Sequence, residues 1–193
     1  MNSLILLISF LTFSLVGISA AEDKGTAPAI SLSGIDGKPV APLDAEGKMA
    51  VVLFFVSPYC PTSNNFGPEM NAIVNDFKES FAFRFIHSDS SVKEPDMVQH
   101  ASMMGFEAPV LNDTAQQLAR HLGAKITPEA IVIDAKGGVL YHGRINDLYL
   151  GPTKRQREIK THDLRDALTA IKKETPVTTP NAVAVGCKIS GIE

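Results

Sequence analysis

The chain has 193 residues, 45% hydrophobic and 20% charged, with a mean hydropathy of +0.08 and a formal net charge of −3. That mixed, slightly acidic balance gives no footprint for nucleic acid. The one basic cluster, Lys154-Arg155-Gln156-Arg157, reads as a solvated loop or the start of a helix.

The first segment, Leu4 to Val16, is uncharged and apolar and ends in the small residues Ser19-Ala20-Ala21. It reads as a signal peptide over residues 1–21, cut near Ala21. The lack of Lys or Arg ahead of it leaves an uncleaved anchor open, but the run is shorter than the roughly 20 residues that span a bilayer. No cysteine at the cut argues against a bacterial lipoprotein, and no later segment is apolar enough to cross a membrane. An exported chain, periplasmic or extracellular, is the expectation, with residues 22–173 as one domain and 174–193 as an extended C-terminal arm.

Ala27 to Val40 reads as a small hairpin around Asp36-Gly37, and Val51 to Val56 as a buried central strand. Pro61 suits a first helical position, so a helix should run from Pro61 to Ser80 with a kink at Pro68. Phe81 to Ile86 is a strand, and Glu94 to Met104 a helix closed by Gly105. After the strand Pro109 to Leu111, Asn112-Asp113-Thr114 caps a helix that stops at Gly123. Ala130–Asp134 and Val139–Arg144 form a hairpin around Lys136-Gly137-Gly138, and Asp163 opens a final helix with Leu164, Ala167, Leu168 and Ile171 on one face. This order predicts an α/β fold with a mixed central sheet and helices on both faces. Beyond Lys173 the segment Thr175 to Asn181 is a proline-containing linker, and it delivers Cys187.

Cys60 stands between the strand Val51 to Val56 and the helix opened by Pro61. A thiol there faces the positive end of a helix dipole and unpaired first-turn N–H groups, which favours the thiolate. The only other cysteine is Cys187. The pair allows redox chemistry or a permanent staple in an oxidising compartment. The linker, at roughly 3 Å per extended residue, is long enough to bring Cys187 to Cys60 of its own chain or of a neighbour. His87, His100, His121, His142 and His162 are scattered rather than spaced as metal ligands, so they read as surface or satisfied core residues. Met70, Ile73 and Phe77 read as core, Glu69 as a helix-surface carboxylate.

Over roughly residues 27 to 173, the chain resembles the thioredoxin-like superfamily, and within it the redoxin branch of alkyl hydroperoxide reductases and thiol-specific antioxidant proteins. Cys60 matches the nucleophilic cysteine, Pro68 the proline that kinks the active-site helix, and Gly123 to Pro128 the cis-proline loop. The resemblance implies a three-layer sandwich with a redox-active cysteine and no cofactor or metal. It also implies a cis Thr127–Pro128 bond and a substrate site of Tyr59, Pro61, Thr62, Thr127 and Pro128. The partners it implies are a protein disulfide or a peroxide as substrate and an upstream thiol reductant.

Departures from the family pattern narrow the chemistry. Ser63 replaces the second cysteine of thioredoxins, Tyr59 their tryptophan, and Phe54 their buried acid. Peroxiredoxins place a Thr or Ser three residues before their cysteine, which Ser57 matches, but Leu53 occupies the place of their upstream proline. A peroxidase would need Arg144 or Arg84 to reach the sulfur. Copper-handling relatives carry a second cysteine where Asn64 stands, so a Cu(I) or protein-binding module is a further alternative. By analogy with two-cysteine peroxiredoxins, Cys187 is expected to resolve the Cys60 adduct. The leading expectation is a thiol:disulfide oxidoreductase with Cys60, Cys187 and Ser57 as catalytic residues.

Overall fold

The computed structural model describes residues 30–192; the signal reading over residues 1–21 lies outside the described residues. In chain order, the elements are β1 (Leu32–Gly34), β2 (Pro39–Val40), β3 (Ala50–Phe55), α1 (Pro61–Asn65), α2 (Gly67–Phe77), β4 (Phe81–His87), α3 (Glu94–Met104) and β5 (Val110–Asn112). They continue with α4 (Gln117–Leu122), β6 (Ile126–Thr127), β7 (Glu129–Asp134), β8 (Val139–Gly143), β9 (Tyr149–Gly151), β10 (Lys154–Arg155), α5 (Asp163–Lys172), β11 (Asn181–Ala182) and β12 (Cys187–Lys188).

Eight strands form one sheet in the order β11-β8-β7-β3-β4-β5-β1-β2. β3 runs parallel to β4 and antiparallel to β7, so the sheet is mixed, as expected. Every residue of β3 is buried, as a central strand covered on both faces requires. Its side chains alternate between two cores. Val52 and Phe54 pack with Met70 and Ile73 of α2 and Leu164 and Leu168 of α5. Val51, Leu53 and Phe55 pack on the opposite face with Leu118 and Ala119 of α4. Phe54, Phe83 and Phe85 stack across neighbouring strands at centroid distances of 6.1 and 5.3 Å, extending the first core.

Two expectations are corrected. The single kinked helix from Pro61 to Ser80 is two helices that break at Phe66, where φ is −89° and ψ −6°. Pro68 falls in the first turn of α2, where its missing N–H is no loss, so it starts a helix instead of bending one. The basic cluster at Lys154–Arg157 is neither helix nor plain loop: β9 and β10 pair there as a small hairpin. Asp147 fixes its base by accepting from the Lys160 and Thr161 N–H groups at 2.8 and 3.1 Å.

The arm after Lys173 joins the fold. β11 pairs parallel to β8, Ile189 is buried in the second core, and β12 pairs antiparallel to β6. Among the described residues, no helix is long and apolar enough to cross a membrane.

Candidate active site

β3 delivers the chain to a tight turn, and Cys60 is the N-cap of α1, with Pro61 in the first turn. Its extended backbone, φ −100° and ψ 107°, turns the sulfur back over the helix start. There Sγ accepts the Ser63 N–H at 3.3 Å. The thiol donates to the Thr127 carbonyl at 2.9 Å, and the residue is only 1% exposed. Ser63, which replaces the second cysteine, instead turns its hydroxyl to the Ser57 N–H at 3.4 Å.

The Thr127–Pro128 bond is cis, as expected from the loop. This loop is held by Glu129, a nearly buried carboxylate. Its Oε2 accepts the N–H groups of Lys125 and Ile126 at 2.9 and 3.4 Å, while Oε1 pairs with His142 Nε2 at 3.0 Å.

Cys187 lies directly opposite Thr127 in the β12–β6 pair, and its thiol comes within hydrogen-bonding reach of the Cys60 sulfur. Both thiols are free. Burial, then hydrogen bonding to Cys60 and the charge of that sulfur, push the Cys187 thiol up to about 11. The far tail of the arm is tied down by Gln116 Nε2, which donates to the Ser190 carbonyl at 2.5 Å, and by Arg120, which donates to the Gly191 carbonyl at 2.6 Å.

The remaining predicted residues line the turn. Ser57 is buried and its hydroxyl accepts the Tyr59 N–H at 3.3 Å within the turn that carries Cys60. Tyr59 is 54% exposed beside Cys60 and its hydroxyl donates to Asp96 at 2.8 Å; that carboxylate raises the phenol above its ordinary value. Pro61 is exposed and Thr62 half-buried at the start of α1.

Neither arginine considered for peroxide polarisation reaches the site. Arg84 is buried against Glu46 and the Phe83 carbonyl, and Arg144 is engaged by Asp163 at 3.0 Å and Thr161 at 3.2 Å. Glu69 is an ion-pair partner of Arg165 at 2.7 Å on the α2 surface.

A polar chain behind α1 was not legible in the sequence. Asn64 Nδ2 donates to the Pro58 carbonyl at 3.1 Å, which leaves its Oδ1 to accept from His100 Nε2 at 2.9 Å. His100 Nδ1 is therefore the acceptor for His87 Nε2 at 3.4 Å, and His87 Nδ1 is left as a buried lone pair. Asn64, standing where copper-handling relatives have a cysteine, thus braces the cysteine turn. Among the described residues, no three metal-ligating side chains cluster.

A free thiol at a strand-to-helix turn, facing a cis-proline loop on a mixed sheet flanked by helices, defines a thioredoxin-like, thiol-dependent oxidoreductase. The family model for AhpC/TSA matches residues 24–142, and the chain belongs to that family. No curated protein matches the chain. Among solved structures, it is similar to an uncharacterized conserved protein from Geobacillus kaustophilus, with a TM-score of 0.75 and 24% identity over 85% of this chain and 89% of that one. A hypothetical protein from Sinorhizobium meliloti 1021 gives a TM-score of 0.73 and 23% identity, covering 83% of this chain and 89% of that one. A secreted Mycobacterium tuberculosis disulfide oxidoreductase, homologous to Escherichia coli DsbE, gives 0.55 and 17%, covering 74% and 96%.

Proposed function

We propose that the chain is an exported thiol:disulfide oxidoreductase in which Cys60 is the nucleophile and Cys187 the resolving cysteine. The observation that carries this reading is the seating of Cys187 opposite Thr127, whose carbonyl already holds the Cys60 thiol. The Cys60 thiolate attacks a substrate disulfide and expels one substrate thiolate. Cys187, deprotonated in turn, attacks Cys60 Sγ, expels the second substrate thiolate and leaves a Cys60–Cys187 disulfide. The substrate gains two electrons and two protons, and an upstream dithiol restores the pair. In this reading residues 1–21 are the signal peptide, 22–173 the domain and 174–193 the arm; the secreted relative supports export. Ser57, Tyr59, Pro61, Thr62, Thr127 and Pro128 form the surround that shapes the nucleophile's turn and meets the substrate.

Cys60→Ser is expected to abolish disulfide reduction in an insulin turbidity assay, and Cys187→Ser to accumulate a covalent Cys60–substrate adduct visible by mass spectrometry. Wild-type turnover in both variants would overturn the mechanism. A peroxidase finds no guanidinium beside the sulfur among the described residues. Rapid sulfenic acid formation at Cys60 with hydrogen peroxide would nonetheless argue for it.

A further inference from the structure

β8 runs antiparallel to β7, and β7 antiparallel to β3, so β8 and β3 point the same way. Gly143, the last residue of β8, pairs with Ala130, and Ala130 pairs with Phe54, one residue before the end of β3. The chain therefore leaves β8 at the end of the sheet from which the Cys60 turn leaves β3. The β9–β10 hairpin that follows stands on the active-site helices. Tyr149 packs on Phe66 at 5.9 Å, and its hydroxyl accepts from Asn65 Nδ2 at 2.7 Å, at the end of the helix whose N-cap is Cys60.

The base of this hairpin is fixed. Besides the Asp147 contacts, the Gln156 N–H donates to the Leu148 carbonyl at 2.8 Å and Gln156 Nε2 to the Asp147 carbonyl at 2.6 Å. Beyond that base its side chains are bare. Lys154, Arg155, Arg157 and Lys160 are all exposed, and among the described residues none of the four has an ion-pair partner. Glu158 is the one acid between Leu150 and Lys160. Leu150 is 46% exposed, and a groove of about 430 Å³ lies between it and the four cations.

The whole chain carries a net charge of −3, so the excess of cations is local to the hairpin and the remainder of the chain is the more acidic part. On the other side of β3, where β4 leads into α3, the first turn of α3 carries Glu94 and Asp96 against Lys93, and Asp96 holds the Tyr59 hydroxyl beside Cys60. The Cys60 turn thus lies between a basic flank and an acidic one. A partner that brings an acidic patch over the hairpin is attracted, and the same partner turned round is repelled.

We propose that the β9–β10 hairpin is a recognition element for the protein substrate, which it engages through an acidic patch beside the disulfide presented to Cys60, with Leu150 adding an apolar contact. This rests on the reading of Cys60 as the nucleophile and names the class of substrate it serves. The observations favour an acidic protein over an anionic bilayer, because the hairpin opens at the thiol end of the sheet and a flat anionic surface laid there would also face Glu94 and Asp96.

The test uses the reduced protein and two peptides of about 20 residues, which at roughly 3.3 Å per extended residue are long enough to cross a domain. Each holds one cysteine as a disulfide with a chromogenic aromatic thiol, and a block of either Asp and Glu or Lys and Arg. The Cys60 thiolate bonds to the peptide sulfur, the aromatic thiolate leaves, and its absorbance gives the rate. Every rate is divided by that for uncharged dithiodipyridine, so changes in the thiol itself cancel. The acidic peptide is expected to react about tenfold faster at low salt. That preference should fade at about 1 M salt, where the screening length falls to about 3 Å. Equal rates for the two peptides, or a preference that persists at high salt, would overturn the proposal. This comparison needs only the unaltered chain, so it decides the matter even where a variant fails to fold. The double variant Arg155→Glu/Arg157→Glu is expected to lose the preference. Lys136→Glu/Lys173→Glu, the same change of charge in the β7–β8 turn and after α5, should keep it. Survival of the preference in the hairpin variant, or its equal loss in both, would overturn the proposal. Binding to phosphatidylglycerol vesicles with no preference between peptides would overturn it in favour of a lipid surface. A chain inert even to dithiodipyridine would overturn the oxidoreductase reading itself, so the two failures are distinct.

Discussion

The two sulfurs sit in unlike surroundings. Cys60 accepts a backbone N–H and donates to a backbone carbonyl, whereas Cys187 has burial and a neighbouring sulfur, which push its thiol to about 11 from an ordinary 9.0. A raised value keeps the protonated form through neutral pH, so the scarce thiolate limits any reaction at Cys187. Its alkylation rate should climb by about tenfold per pH unit up to roughly pH 11, because thiolate fraction sets reactivity. In Cys60→Ser the curve should shift to lower pH without returning to the ordinary value, since burial is the larger cause. Mass spectrometry of the Cys187 adduct across pH checks this; a plateau near pH 9 in the unaltered chain would show an unperturbed thiol.

Several elements owe their limits to one side chain. The Asp113 carboxylate accepts from the Leu118 and Ala119 N–H groups at 3.0 Å each and from the Ser88 hydroxyl at 2.6 Å, fixing the start of α4. Asp113→Ala should cost about 1–3 kcal/mol, the range for a lost cap and stranded donors, read as a lower urea midpoint. An unchanged midpoint would show that α4 does not depend on it. Asp113 was legible because an Asn-Asp-Thr run before an apolar stretch is a local signal, as were Gly105 and Gly123, which end their helices with φ of 61° and 72°. Cys60 was legible from the strand and the helix that flank it, and the Thr127-Pro128 loop through its resemblance to the family's cis-proline loop. The break at Phe66 and the β9–β10 hairpin were not, because both depend on partners distant in sequence. Phe66 packs on Tyr149 at 5.9 Å, and the Tyr149 hydroxyl accepts from Asn65 Nδ2 at 2.7 Å. Glu129 was missed for a related reason: a carboxylate after a proline gives no hint that it will hold two backbone amides and a histidine. The pairing of β12 with β6 joins positions 60 apart, beyond any periodicity in the chain.

At the scale of the whole molecule, the His87–His100 pair ties stability to pH. Burial holds His87 down to about 3, with His100 as a second cause, and burial alone holds His100 down to about 4. Both lie below the ordinary 6.5, so between these values the unfolded chain binds more protons than the folded one. The contribution is whole above about pH 6.5 and is lost as pH falls toward 4, by up to about 1.4 kcal/mol per pH unit for each ring. Urea midpoints should therefore drop between pH 7 and pH 5, and His100→Gln, which can still bond Asn64, should lessen that drop. Equal slopes in both proteins would show that the pair does not titrate on unfolding. The C-terminal arm, anchored at Ala182 by the Arg144 N–H and at Ile189 by the Lys125 carbonyl, carries a consequence of another kind. Because Ala182 and Ile189 hold Cys187 beside Cys60 within one chain, closure of the proposed disulfide is a first-order event with a large effective concentration. Its rate is set by the geometry of the arm and by the Cys187 thiolate fraction, and it does not depend on how dilute the protein is.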